Sequence, residues 1–227
     1  MKRIETDQEV VLEPSAPAQA AVIWLHGLGA DGFDFVPIVP QLRLSGAPVR
    51  FVFPHAPVRP VTLNAGFPMR AWYDIVSLDA EGRADEAGIR ESAQRVENYI
   101  AEQVAAGIPS QRILLAGFSQ GGAVALHCAL RHAQPLGGLI ALSTYLPLHS
   151  RVAAERHEAN RALPVFLAHG QFDPIVPFEW GRETQRILQS LDCPVEWHAY
   201  PMQHEVCADE IDDLGAWLRA RLASWQT

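Results

Sequence analysis

Short apolar runs alternate along this chain with longer stretches in which apolar residues recur every three or four positions. The short runs are nearly continuous and rich in Val, Ile, Leu and Ala, as strands are when helices cover both faces of a parallel sheet. They predict six strands, at residues 21–25, 49–53, 113–116, 139–142, 165–168 and 195–199. The recurring pattern predicts four amphipathic helices, at residues 86–106, 121–133, 178–191 and 211–222.

The order of these elements predicts the fold class. Strands and helices alternate from one end of the chain to the other, which favours a single α/β domain over residues 1–227 with a mostly parallel, doubly wound sheet. The 227 residues are enough for one hydrophobic core and too few for two full domains. Residues 54–68 break the alternation, because turn-forming and scattered apolar residues occur together there. We expect that segment to be a loop folded over another part of the molecule.

Composition and charge exclude several classes of function. With 18 Lys and Arg against 26 Asp and Glu, the formal net charge is −8, and the basic residues are spread along the chain. Such a surface repels phosphate backbones, so we expect no nucleic-acid partner. Three widely separated cysteines fit neither a disulfide framework nor a zinc site, and we expect no metal. The charged start and the lack of a long apolar stretch predict no signal peptide and no integral membrane segment, which favours a cytoplasmic protein.

A Gly-x-Ser-x-Gly pattern places Ser119 between a predicted strand and a predicted helix. The pattern alone is weak evidence, but the strand–turn–helix setting is the one that a nucleophile elbow requires. Gly117 and Gly121 allow the strand and the helix to approach each other closely. The turn leaves the serine hydroxyl at a helix N-terminus, where the helix dipole favours developing negative charge. Ser119 is therefore the candidate nucleophile.

A serine nucleophile needs a base and an acid that orients the base, in the chain order Ser, Asp or Glu, His for this kind of fold. His204 follows the last predicted strand, where catalytic loops of open α/β sheets lie, and is our candidate base. His198, within that strand, is the second choice. Asp173 is the single carboxylate in the loop after the fifth predicted strand. An Asp-Pro pair is also ordinary turn chemistry, but its place in the order favours the catalytic interpretation.

An acyl-transfer site also needs two N–H donors for the oxyanion of its tetrahedral intermediate. The first candidate is the backbone N–H of Gln120, the residue after the nucleophile. The second is the backbone N–H of Leu28, because residues 26–29 (HGLG) follow the first core strand and are similar to the glycine-rich oxyanion loops of esterases. A glycine-rich turn without a ligand is the alternative.

Five ordered motifs together resemble the phospholipase/carboxylesterase family, which includes the acyl-protein thioesterases. These motifs are residues 26–32 (HGLGADG), 72–74 (WYD), 117–122 (GFSQGG), 169–177 (HGQFDPIVP) and 200–204 (YPMQH). The resemblance runs from about residue 20 to the C-terminus. It implies an α/β-hydrolase fold with helices on both faces of the sheet and no separate cap domain. It also implies a cofactor-free cytosolic enzyme, and some members of the family form homodimers.

The resemblance assigns roles to individual residues. Ser119, Asp173 and His204 take the triad positions, and Leu28 and Gln120 the oxyanion positions. Residues 54–72 take the place of a flexible flap beside an apolar acyl groove. Within that segment Leu63 and Trp72 are candidates for substrate contact, although an aromatic residue ahead of a polar pair is more often part of the core. Many relatives have Gly before the catalytic histidine, where this chain has Gln203.

The sequence thus predicts a serine hydrolase that cleaves carboxylic esters or thioesters through an acyl-enzyme. We expect a carboxylesterase for short to medium acyl chains, with a small-molecule or lipid ester as substrate. The alternative within enzymes is an acyl-protein thioesterase or lysophospholipase that uses long chains. A dienelactone hydrolase is disfavoured because that chemistry uses Cys where this chain has Ser119. A catalytically silent binding protein is the alternative from another class.

Overall fold

A computed structural model describes residues 1–44, 46–75 and 85–225 of the chain. Its central feature is a sheet of eight strands within those residues, in the order β1-β2-β4-β3-β7-β8-β9-β10. The strands of this sheet are β1 (Lys2–Glu5), β2 (Glu9–Glu13), β3 (Ala20–Leu25), β4 (Val49–Pro54), β7 (Ile113–Phe118), β8 (Gly138–Leu142), β9 (Val165–Gly170) and β10 (Val195–Tyr200). A separate hairpin joins β5 (Val58–Val61) to β6 (Phe67–Arg70).

Six neighbouring strands of the sheet pair in parallel: β4, β3, β7, β8, β9 and β10. They coincide with the six strands that the apolar runs predict. Because their carboxyl ends lie at one edge of the sheet, the loops that follow β3, β7, β9 and β10 all emerge at that edge. These are the loops that carry the candidate residues of the site.

The helices cover both faces of the sheet and bury two hydrophobic clusters. They are α1 (Glu86–Ala105), α2 (Gln120–Arg131), α3 (His149–Glu155), α4 (Phe178–Ser190) and α5 (Ala208–Ala223). One cluster holds the apolar faces of α1, α2 and α4 against the sheet. The other holds α5 and the 3-10 helix Val36–Leu42. In a parallel strand successive side chains point to opposite faces, so Ile23 lies in the first cluster and Val22 in the second.

Two parts of the fold differ from the sequence prediction. The prediction of a loop over residues 54–68 is wrong in part, because that segment contains β5 and most of the hairpin with β6. The N-terminal strands β1 and β2 are the second difference. They add an antiparallel extension to the sheet, in which β2 pairs with both β1 and β4. The hairpin and β1 are largely exposed, and β2 buries only Val10 and Leu12, so none of them carries the long apolar run by which the central strands were recognised.

The helices of the described residues are too short or too polar to cross a membrane.

Candidate active site

Ser119 lies at the sharp turn between β7 and α2, with backbone angles φ 54° and ψ −121°. Its N–H donates to the carbonyl of Leu142 (2.9 Å), and its own carbonyl accepts from the hydroxyl of Thr144 (2.7 Å). A Cβ atom at Gly117 would lie 2.4 Å from the backbone of Gly121, so strand and helix touch here without side chains between them. This is the geometry expected of a nucleophile elbow, in a strained backbone region.

The structure brings the three predicted triad residues into one hydrogen-bonded line. The Ser119 hydroxyl lies 2.9 Å from Nε2 of His204, and Nδ1 of His204 lies 2.7 Å from Oδ2 of Asp173. The Asp173 side chain is fully buried, whereas His204 remains partly accessible. His198, the second choice for the base, points elsewhere, with its Nε2 2.9 Å from Glu196. The line runs from an accessible hydroxyl to a buried carboxylate, the arrangement that lets an imidazole accept a proton.

The loop after β9 fixes the orientation of the Asp173 carboxylate. Oδ1 accepts hydrogen bonds from the backbone N–H groups of Ile175 and Val176, both at 2.8 Å, which leaves Oδ2 for His204. The two prolines that flank this turn keep it rigid.

His169 is a site residue to which the sequence analysis gave no role of its own. Its side chain is fully buried, with Nε2 2.9 Å from the carbonyl of Val176 and 3.6 Å from Oδ2 of Asp173. Burial lowers the pKa of His169, which favours the neutral ring. A neutral His169 holds the turn and leaves the charge of Asp173 to act on His204. Its position at the carboxyl end of β9, four residues before Asp173, is the sequence signal that could have identified it.

The loop after β3 passes directly beside the nucleophile. A Cβ atom at Gly27 would lie 3.6 Å from Cβ of Ser119, so the loop that carries Leu28 passes within contact distance of the serine. The N–H of Gln120 lies at the first position of α2, where a helix has no internal acceptor for it. The two N–H groups that the sequence analysis predicts as oxyanion donors have no backbone acceptor among the described residues.

His26 anchors the start of this loop. Its Nδ1 lies 2.7 Å from the carbonyl of Gly27, and its Nε2 accepts from the N–H of Ala56 (3.0 Å). Burial lowers the pKa of His26 to about 4, so the ring is neutral at pH 7, with the proton on Nδ1. The further contact from the N–H of Gly29 to the carbonyl of Arg70 (2.8 Å) ties the loop to β6.

The two predicted substrate contacts lie in different surroundings. Leu63 is 45% exposed at the tip of the hairpin, where a substrate can reach it. Trp72 is only 1% exposed, and its indole N–H donates to the carbonyl of His26 (2.8 Å). The core-packing alternative describes this buried position, and contact between Trp72 and a substrate stays a prediction.

The described residues contain no cluster of three or more His, Cys, Asp or Glu side chains that could hold a metal ion.

Comparison with known proteins identifies the family. The model of the family described as phospholipase/carboxylesterase matches residues 6–222. The acyl-protein thioesterase 1 of Mycosarcoma maydis is 42% identical over 215 residues, which cover 88% of this chain and 90% of that protein. The crystal structure of Arabidopsis thaliana SOBER1 has 31% identity and a TM-score of 0.85, covering 90% of this chain and 100% of that one. For Zea mays acyl-protein thioesterase 2 the identity is 27%, the TM-score 0.81 and the coverage 94% and 98%.

These matches confirm the resemblance that the five motifs indicated and the predicted fold class. The chain belongs to the phospholipase/carboxylesterase family and is an ester hydrolase with the α/β-hydrolase fold.

Proposed function

We propose that this protein hydrolyses carboxylic esters or thioesters in two steps, with Ser119 as nucleophile, His204 as general base and acid, and Asp173 as the group that orients His204. The observation that carries the proposal is the continuous line from the Ser119 hydroxyl through both nitrogens of His204 to Asp173, at 2.9 and 2.7 Å. An imidazole held between a hydroxyl and a buried carboxylate can take the hydroxyl proton as the oxygen attacks.

In the first step the Ser119 oxygen attacks the carbonyl carbon of the substrate while its proton passes to Nε2 of His204. The negative charge that develops on the carbonyl oxygen is stabilised by the N–H groups of Leu28 and Gln120, each worth roughly 3 kcal/mol. His204 then donates the proton to the leaving alcohol or thiol, which leaves an acyl group on Ser119. In the second step water attacks the acyl group, gives its proton to His204 and releases the acid, and the proton returns to Ser119.

Replacement of Ser119 tests this assignment. Ser119→Ala removes the attacking oxygen, so we expect the hydrolysis of p-nitrophenyl butyrate to fall to background and the protein to stay folded. Ser190→Ala serves as the control, because within the described residues this hydroxyl at the end of α4 donates to the carbonyl of Ile187, far from the triad in the fold. In the unaltered protein an organophosphonate should label Ser119, as read by mass spectrometry. Labelling of another serine, or retention of most activity by Ser119→Ala, would refute the assignment.

The acyl chain of the substrate is the finer question. Our primary proposal is a carboxylesterase that prefers short to medium chains, as the sequence analysis predicted. A second candidate is a long-chain acyl thioesterase. It is favoured by large apolar side chains that are exposed on two segments next to the site, Leu63 and Phe67 on the hairpin and Phe172 and Ile175 on the loop of Asp173. It is also favoured by the relatives that are named acyl-protein thioesterases.

A profile of kcat/KM from C2 to C16, measured with oxygen esters and thioesters, separates the two candidates. A maximum at or below about C8 supports the primary proposal, and a continuous rise to C16 supports the second. In the second case Phe67→Ser should lower kcat/KM for long chains, because Phe67 is 69% exposed and offers apolar surface for an acyl chain to bury. The hydrolysis of acetate esters should stay unchanged, because acetate has no long chain to bury there. Val104→Ser, an exposed apolar residue at the end of α1, is the matched control.

A further inference from the structure

A circuit of hydrogen bonds runs from the side chain of Gln120 through Trp72 to His26, at the start of the loop that carries Leu28. It begins at the side chain of Gln120, which is buried although amides are usually exposed. Its Oε1 accepts from the N–H of Trp72 (2.8 Å), and its Nε2 donates to the carbonyl of Tyr73 (2.8 Å). Both ends of the amide are therefore matched to a backbone partner, and the residue that offers one oxyanion donor also holds the backbone of Trp72.

The indole of Trp72 completes the circuit. Its N–H donates to the carbonyl of His26 (2.8 Å), two residues before Leu28, whose N–H is the other oxyanion donor. The carbonyl of Trp72 accepts from the buried hydroxyl of Ser92 on α1, which anchors the segment from a third side. The side chains of Gln120, Trp72 and Ser92 are all buried and paired, so they have little freedom to move independently.

We infer that the side chains of Gln120 and Trp72 are positioning residues that set the distance between the N–H groups of Leu28 and Gln120. An oxyanion hole works only if both donors lie about 2.7–3.1 Å from the place that the oxyanion will occupy. One donor is fixed by α2, and the other lies on a loop that the indole of Trp72 ties back to α2 through Gln120. The inference rests on the proposed function and adds the residues that hold its two oxyanion donors at the required distance from each other.

The loop has other supports, so the circuit can be cut without unfolding it. The ring of His26 still receives the N–H of Ala56, and the N–H of Gly29 still bonds the carbonyl of Arg70. Loss of the indole bond therefore frees the segment around Leu28 to shift, while Ser119, His204 and Asp173 keep their own hydrogen bonds. A shift of that kind affects the transition state more than the bound substrate.

Trp72→Phe tests the inference by removing the indole N–H and keeping an aromatic ring. We expect kcat for p-nitrophenyl butyrate to fall about tenfold or more with KM changed less than about twofold, since a displaced donor costs less than the roughly 100-fold of a deleted one. Inhibition by a trifluoromethyl ketone, whose adduct with serine places an oxyanion in the hole, should weaken by the same factor. The pH dependence of kcat/KM should keep its shape, because the triad is intact.

Trp24→Phe is the matched control. Trp24 is as buried as Trp72 and lies on β3 just before the same loop, but its indole N–H has no hydrogen-bond partner within the described residues. Its replacement removes the same atoms without cutting the circuit, so kcat and the inhibitor affinity should stay near those of the unaltered protein even if Tm falls. Gln120→Met, which keeps the backbone N–H, should reproduce Trp72→Phe, and the double variant should lose little more than either single one.

Two outcomes overturn the inference. One is a Trp72→Phe protein with unchanged kcat and inhibitor affinity, and the other is a loss of kcat without the matching loss of inhibitor affinity. If Trp72→Phe does not fold, 3-benzothienylalanine at position 72 replaces the N–H by sulfur in a ring of the same size and gives the same two readouts. A failure of the proposed function itself is distinguishable, because Ser119 of the unaltered protein would then not be labelled by the organophosphonate.

Discussion

The replacement Asp173→Asn reverses the direction of one hydrogen bond in the site without changing the shape of the side chain. Oδ1 of Asp173 accepts from the N–H groups of Ile175 and Val176, both at 2.8 Å. In the variant the amide oxygen must stay at that position, because an amide NH2 there would face two donors. The NH2 group then points at Nδ1 of His204. His204 can only accept from it, so its proton moves to Nε2, where the Ser119 proton should go.

The structure sets the size of the effect. An Asn side chain turned the other way would leave one buried and one partly buried N–H group unpaired, at about 1–3 kcal/mol each. The productive tautomer therefore lies roughly 2–6 kcal/mol above the unproductive one, which corresponds to a loss of about 30-fold to about 2 × 10⁴-fold in kcat. Because the side chain is fully buried and keeps its volume, we expect Tm to change far less than it would for a cavity.

The assay is kcat for p-nitrophenyl butyrate, with folding followed by circular dichroism and thermal unfolding. Asp213→Asn is the control, because Asp213 also accepts a hydrogen bond, from the hydroxyl of Tyr200 (2.8 Å), but lies on α5 outside the line. It should keep kcat. If Asp173→Asn retains more than about a tenth of kcat, the carboxylate does not set the tautomer of His204 and the reasoning is wrong.

Two further predictions concern the backbone of the elbow and a buried acid. Gly117→Ala would place a Cβ atom 2.4 Å from the backbone of Gly121, so we expect severe destabilisation and no phosphonate labelling of Ser119; a soluble, fully labelled variant would contradict this close packing. Burial raises the pKa of Glu210 to about 8, and the backbone N–H of Cys207 offsets this only in part. The protonated Glu210 side chain therefore contributes stability that is fully present below the unfolded pKa of about 4.5 and is lost as pH rises through 8. Glu210→Gln should therefore raise Tm more at pH 8 than at pH 5, and an equal change at both would show that the carboxylate is not desolvated.

The central sheet could be predicted because its strands are buried on both faces. A strand such as β8 (Gly138–Leu142), with every residue buried, leaves a continuous apolar run in the sequence. β2 (Glu9–Glu13) buries only Val10 and Leu12, and the exposed strand β1 has no such run at all. The hairpin of β5 and β6 contains two prolines that face each other, which made the segment look like a loop.

The candidate triad could be predicted because its residues follow the strand ends in a fixed order. The supports of the site could not, since they join residues far apart in sequence. The bond from the indole of Trp72 to His26 spans 46 positions, and the amide of Gln120 reaches 48 positions back to Trp72. Nothing in the local pattern around Trp72 distinguishes a side chain that braces a loop from one that fills a core.

The backbone of Ser119 has a consequence for how this enzyme can change over generations. Its φ of 54° is a conformation that side-chain-bearing residues adopt at a cost of about 1–3 kcal/mol and that glycine tolerates readily. A chain with glycine there would be sterically relaxed and catalytically inert. Selection for stability alone would thus tend to discard the nucleophile, and the serine persists only while its chemistry is under selection.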